Sequence, residues 1–134
     1  MFVGFTAVDS AVLRNLTVDM FRGDTAEFMV WKADWAHRHG EPARRRIYAD
    51  SARTMFERQV AADPGEAGRR VLLALAYAHL GRKADALREG ARAVEILPVA
   101  RDAVDGADIQ VDFAYVEMLV GERDAAVRRL AYLL

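Results

Sequence analysis

The sequence predicts an all-α protein in which about three antiparallel helix pairs follow one short N-terminal helix. Apolar residues recur every three or four positions along most of the chain, which is the spacing of one helix face. Single glycines stand between these stretches at Gly40, Gly81 and Gly121, where a helix can end in a left-handed residue. Pro64 and Pro98 follow two of the stretches, and a proline cannot continue a helix.

Residues 1–23 form the first unit, an apolar start followed by one short amphipathic helix. The apolar face of this helix consists of Val12, Leu13, Leu16 and Met20. Asp9 or Ser10 stands where its N-cap is expected. The state of the opening MFVGF is left open.

The first helix pair is expected at about residues 24–64. Asp24 and Glu27 have the spacing of a capping box at the start of its first helix, and an apolar stripe follows at Phe28, Trp31 and Trp35. The interval from turn glycine to closing proline is 24 residues here and 17 in the next pair. The second helix, from about 41 to 62, is therefore expected to be two turns longer than its counterpart and the longest in the chain.

The second pair, at about residues 67–98, and the third, at about 107–134, repeat the order of helix, glycine turn and helix. Between them, the segment RDAVDG at 101–106 is interpreted as an inserted linker. Gly90 lies inside a predicted helix, where glycine costs about 1 kcal/mol relative to alanine. We expect it to make room for Tyr77 or for an aromatic residue of the adjacent pair. Ala126, Val127, Leu130, Leu133 and Leu134 lie on one face of the last helix. Leu130, Leu133 and Leu134 can pack inward on their own pair, but an apolar edge of about two turns is expected to stay open on the far side.

This periodicity resembles the tetratricopeptide repeat, a helix–turn–helix unit of about 34 residues. Pro64 and Pro98 are 34 residues apart, and Gly81 and Gly121 are 40 apart. Residues of the expected types stand in the second pair at Leu73, Ala74, Tyr77, Gly81, Ala86, Ala93 and Pro98, and in the third at Phe113, Ala114, Gly121 and Ala126. The third pair has Glu117 where the repeat usually has tyrosine, and the first pair matches less closely. The resemblance implies an α-solenoid over residues 24–134.

A looser similarity links the second pair to tetratricopeptide segments of long bacterial proteins, such as serine/threonine kinases, nucleotide cyclases and winged-helix regulators. It implies that the chain is the helical part of a larger protein. The third pair, offset by 40 residues, would place its closing proline at about position 138, beyond Leu134. We therefore expect either that the protein continues or that the apolar LAYLL associates with another copy.

The resemblance also implies that the first helices of successive pairs line a concave groove. The family's groove-facing register falls on Glu27, Val30, Asp34, His37, Arg38, Val71, Leu75, His79, Asp108, Val111, Tyr115 and Met118. Such a groove is largely apolar with acids at one edge, and its usual ligands are extended peptides or amphipathic helices. The carboxylate clamp of chaperone-binding members needs lysine and asparagine, and these positions hold other residues. We therefore expect no recognition of a C-terminal carboxylate by that route.

The composition excludes several kinds of partner and site. The 134 residues have a formal net charge of −1 and a pI of about 6.3, so no basic field is available for nucleic acid. The arginine run at 44–46 is interpreted as a solvated helix face. No apolar run approaches the roughly 20 residues of a membrane-spanning helix, and no signal peptide is recognisable. Together with the absence of cysteine, this predicts a cytoplasmic protein.

No enzyme constellation or cofactor motif is found. His37 and His39 are two residues apart and face different sides of a helix, which disfavours a shared metal ion. Ser51 and Thr54 have no general base beside them. Trp31, Trp35 and Tyr77 have helical spacing and are interpreted as core rather than as an aromatic binding site.

The sequence therefore predicts a non-enzymatic scaffold that binds a peptide or protein domain in its groove. The alternative is a self-associating module, a homodimer formed through the groove or the terminal helices. A ligand sensor or an enzyme is the least favoured of the three. The identity of a partner does not follow from the sequence.

Overall fold

A computed structural model of the chain describes residues 24–134, which are all-helical and contain no β-strand. The helices are α1 (Thr25–Arg38), α2 (Pro42–Ala62), α3 (Ala67–His79), α4 (Lys83–Ile96), α5 (Asp105–Leu119) and α6 (Arg123–Tyr132). The prediction of an all-α chain is confirmed for this range. The predicted N-terminal helix and the MFVGF segment lie outside the described residues. None of the described helices has the length and apolarity that crossing a membrane requires.

Consecutive helices pack against each other, α1 with α2, α3 with α4, and α5 with α6. Each pair is joined by a turn whose glycine has a positive φ, 67° at Gly40, 74° at Gly81 and 88° at Gly121. Side chains are strained in this conformation, so glycine ends the first helix of each pair. Because these turns are short, contacting helices run antiparallel. Between pairs, α3 packs against both α1 and α5.

Small residues let the helices approach closely. Ala86 and Ala93 of α4 are fully buried. A Cβ added at Gly90 would lie 2.3 Å from the ring of Phe113 on α5, so glycine is required there by an aromatic residue of the adjacent pair, as predicted. The expectation that the three large aromatic residues belong to the core is also confirmed, because Trp31, Trp35 and Tyr77 are at most 9% exposed.

Two predictions about element boundaries have different outcomes. Helix α2 has 21 residues and is the longest described helix, as predicted. Helix α5 begins at Asp105, two residues before the expected start at about 107, so the predicted linker is confirmed for residues 101–104 and wrong for 105–106. The Asp102 carboxylate accepts hydrogen bonds from the backbone of Val104 and Asp105 at 3.0 and 2.8 Å. A Cβ on Gly106 would lie 2.9 Å from the backbone of the segment at 98–99, so this glycine marks a close contact and not a linker.

The expected inward packing of Leu130, Leu133 and Leu134 is wrong for Leu130 and Leu134, whereas the expected open apolar edge is present. Ala126 is buried, whereas Val127 is 61% exposed, Leu130 42% and Leu134 108%. Among the described helices, α6 contacts only α5. Its outer face therefore leaves apolar side chains in water.

Candidate binding groove

The face formed by α1, α3 and α5 contains most of the predicted groove residues. Matching the turn glycines aligns the three pairs, with an offset of 41 residues from the first to the second and 40 from the second to the third. The face then divides into two parts. A polar network lies near the C-terminal ends of the three helices, and a cavity lies near their N-terminal ends.

The centre of the network is Asp34, whose side chain is 1% exposed. Arg38 Nε donates to its Oδ2 at 2.9 Å, and the Tyr115 hydroxyl donates to its Oδ1. His79 Nε2 lies 3.5 Å from the same Oδ1. Burial alone would raise the pKa of Asp34, but the donors of His79, Tyr115 and Arg38 outweigh it and keep the pKa below its usual value. One carboxylate therefore joins α1, α3 and α5.

His79 is held in its neutral form within this network. Arg45 Nε, on α2, donates to His79 Nδ1 at 2.9 Å, so the proton of the neutral ring belongs on Nε2, facing Asp34. At 3.5 Å this approach is a weak contact rather than a full hydrogen bond. Burial lowers the pKa of His79, and the charges of Arg45 and Arg38 lower it further against the opposing effect of Asp34.

The structure separates the predicted groove residues by accessibility. Buried are Val30, Asp34, Val71, Leu75 and His79; half-buried are Glu27, Val111 and Tyr115; exposed are His37, Arg38, Asp108 and Met118. The buried five pack the helices together, so in this structure they are core residues, and of the five only Val71 also lines the cavity near the N-terminal ends of the three helices. The exposed His37, Arg38 and Met118 lie near the C-terminal ends of α1 and α5. Glu27 and Asp108 lie near the N-terminal ends, in a second accessible part of the face.

That part contains a cavity of about 280 Å³. Its apolar wall consists of Trp31, Val71, Leu72, Leu97 and Ile109, and its acidic rim of Glu27, Glu66, Asp105, Asp108 and Asp112. Gly68 completes the lining, and the nearest atom to a Cβ added there would be a carboxylate oxygen of Glu66, at 3.2 Å. The cavity therefore presents apolar surface below and carboxylates at its edge.

When the three pairs are aligned by their turn glycines, much of the cavity lining comes from two aligned positions. Glu27, Gly68 and Asp108 share one position, which the predicted groove register includes. Trp31, Leu72 and Asp112 share another, which sequence reasoning missed because its apolar members suggest core alone. The signal for it was Asp112, a charged residue at a position that is apolar in the other two pairs.

Arg45 was missed for a similar reason. It was interpreted as part of a solvated arginine run, but its position is equivalent to Ala86 and Ala126, both of which are fully buried. An arginine at a buried position needs a polar partner, and His79 accepts from it.

Among the cavity residues, Asp112 is the one whose pKa is raised far above its usual value. Burial raises its pKa to about 6; the positive charge of the chain's amino terminus opposes this rise, and the negative charges of Asp108 and Glu27 add to it. Within residues 24–134, no three histidine or acidic side chains come together as ligands for one metal ion. The cavity as described can hold apolar groups at its wall and positive charge at its rim.

Comparisons of the chain with protein-family models, curated proteins and solved structures give no match.

Proposed function

We propose that the chain is a tetratricopeptide-like repeat module that binds a peptide segment of a partner protein between the first turns of α1, α3 and α5. The three glycine-linked helix pairs support the repeat interpretation. The cavity is the observation on which the binding proposal rests, because a stack of packed helices has no structural need for it.

The size and shape of the cavity favour a peptide. Pockets for drug-sized ligands have volumes of roughly 300–1,000 Å³, and this one, at about 280 Å³, suits one or two side chains. Three separate helices contribute to it, so an extended segment can cross them in turn and place a side chain in the cavity. Recognition of this kind uses shaped pockets for individual side chains of an otherwise exposed chain.

The test is a selection of binding peptides from a random peptide library displayed on phage. The blocking variant is Gly68→Phe, because a large side chain at this lining position fills the cavity. The matched control is Ala91→Phe, on the exposed face of α4. We expect the wild-type chain and the control to enrich one family of related peptides and the blocking variant to lose them. Failure to enrich any family, or equal binding by Gly68→Phe, would show that the cavity is not a peptide site.

A second candidate function is self-association through α6. Val127 and Leu130 are 61% and 42% exposed, residues three apart are neighbours on a helix surface, and exposed apolar patches mark association sites. A second copy can cover the face by presenting the same surface, as in a two-fold symmetric dimer.

A further inference from the structure

We infer that the chain's own first residues, 1–5, occupy the cavity between α1, α3 and α5, with the amino terminus at the acidic rim and apolar side chains against the wall. This inference rests on the proposed peptide-binding function, and it goes beyond that function by naming an internal segment that competes with the partner peptide. The course of the chain, the charges at the rim and the sequence of residues 1–5 support it.

Residues 1–23 end beside this cavity. Asp24 caps α1 by accepting a hydrogen bond from the backbone N–H of Glu27 at 3.0 Å, and Glu27 lies on the cavity rim. The Asp24 carboxylate also accepts from Arg69, which directly follows a lining residue of α3. The residues that separate Phe5 from Asp24 span up to about 60 Å when extended. They therefore leave the first five residues ample length to return to the cavity.

The acidic rim offers an amino terminus negative charge that the described residues do not neutralise. Within residues 24–134, no lysine or arginine forms an ion pair with Glu27, Asp105, Asp108 or Asp112. The first three of these acids lie in the first turns of α1 and α5, where the positive end of a helix dipole stabilises them. Asp112 lies one turn further along α5, so this explanation does not reach it.

Asp112 already experiences a positive charge, which is an independent sign of an occupant. Burial has the largest effect on the pKa of Asp112 and raises it, and the amino terminus of the chain has the next largest effect and lowers it. Salt screens interactions between exposed charges beyond about 8–10 Å, so such an effect requires proximity. The aligned residues Trp31 and Leu72 are apolar, and the amino group is the counter-charge that explains a carboxylate at this position.

The sequence of residues 1–5, MFVGF, complements the rest of the lining. It contains no charged side chain, so its charge lies at the amino end alone. Its methionine, valine and two phenylalanine side chains suit the apolar wall, because the free energy of burying such groups increases with the area removed from water. A cavity of about 280 Å³ has room for one or two of them.

An occupant from the same chain acts as an internal inhibitor of the cavity. Its effective concentration is in the millimolar range, because it is tethered to the fold through Asp24. The apparent affinity for a partner peptide falls in proportion to the fraction of molecules whose cavity is open, so occupation of nine molecules in ten weakens partner binding about tenfold. A partner that binds tightly still displaces the segment.

The experiment uses the full chain with both phenylalanines of the segment changed, Phe2→Ser with Phe5→Ser. The matched control carries Ile47→Ser with Met118→Ser, two exposed apolar residues outside the cavity. Amide NMR is the first readout, because it needs no added ligand. We expect the segment variant to shift the signals of the amides that surround the cavity, and the control to leave them in place.

Two binding measurements follow. A peptide selected on phage should bind the segment variant about tenfold more tightly than it binds the wild-type chain or the control, because the internal competitor is weakened. A synthetic peptide of residues 1–6 with an amidated C-terminus is then added to the segment variant. It should bind about tenfold more tightly with a free amino group than with an acetylated one, because only the free amine pairs with the acidic rim.

The possible results separate this inference from the proposed function. Unchanged cavity amides in the segment variant, or equal binding of the free and acetylated peptides, would overturn the inference and leave the binding of partner peptides intact. Amide changes that grow with protein concentration would overturn it in favour of the first residues of a second copy. A selection that yields no peptide family on the wild-type chain or on the segment variant would instead remove the proposed function itself, while the amide shifts would still decide whether residues 1–5 lie in the cavity.

Discussion

At the scale of single residues, the most informative group is the network around Asp34. A carboxylate that is 1% exposed must be surrounded by donors, because an unpaired buried charge is strongly destabilising. Its donors come from α1, α3 and α5, and Arg45 adds α2 through His79. The network therefore fixes the relative positions of helices from all three pairs.

His79 should make the stability of the chain sensitive to acid. Its folded-state pKa is lowered from the usual 6.5, so below that pH the unfolded chain binds a proton that the folded chain does not. The free energy of unfolding therefore falls as the pH falls through this range. The groups that act on the ring are Asp34, His37 and Arg38 on α1 and Arg45 on α2.

We expect His79→Gln to reduce the change in unfolding free energy between about pH 7 and pH 5, measured by urea denaturation. Part of the slope should remain because the pKa of His37 is lowered too. The pKa of Asp112 is raised to about 6, so its contribution makes the unfolding free energy rise as the pH falls. This contribution is the same in the wild-type chain and in the variant. The matched control is His39→Gln, outside the network, which should keep the wild-type slope. An unchanged slope in His79→Gln would contradict a buried neutral histidine.

At the scale of elements, the sequence predicts the helices and turns well because the relevant signals are local. The turn glycines all have positive φ, and the longer interval before Pro64 correctly predicts the length of α2. The start of α5 was misplaced because Gly106 has a tertiary role. It meets the backbone at 98–99, which no local pattern reveals.

Gly90 offers the sharpest test of how α4 packs on α5. We expect Gly90→Ala to lower the unfolding free energy by about 1–3 kcal/mol, the usual cost of an over-packed core, although alanine is the better helix former. The reason is that the new Cβ would lie 2.3 Å from the buried ring of Phe113. The measurement is urea denaturation of both proteins.

The control uses Phe113→Leu as the background, because Leu73 occupies the equivalent position of the second pair. In this background the added methyl group should cost much less. If Gly90→Ala costs the same with leucine as with phenylalanine at position 113, the ring is not the reason for glycine.

The candidate site was predictable only in part. The repeat register includes Glu27 and Asp108, which line the cavity, because periodicity determines which residues share a face. It does not determine which of them stay open. Leu75 and Val30 share the same face and are buried, since accessibility depends on how closely the helices approach and on pairings such as Asp34 with Tyr115.

At the scale of the whole molecule, α6 leaves apolar side chains exposed. We expect sedimentation equilibrium to show association that increases with protein concentration. Replacing Val127 and Leu130 by glutamate should weaken it, because a charge at a buried contact is costly. The control Ala91→Glu, on exposed α4 surface, should associate as the wild-type chain does. A wild-type chain that is monomeric at every concentration would exclude this second candidate function.

The central claim is that a peptide binds between the first turns of α1, α3 and α5. Amide NMR of the isotope-labelled full chain, titrated with a peptide from the family selected on phage, tests it most directly because each backbone amide reports on its own surroundings. We predict that the saturable shifts concentrate at residues 27–31, 66–72 and 105–112, where the three helices surround the cavity, and that Gly68→Phe abolishes them. Saturable shifts confined to α2, α4 and α6, or a titration that leaves the residues around the cavity unchanged, would contradict the claim.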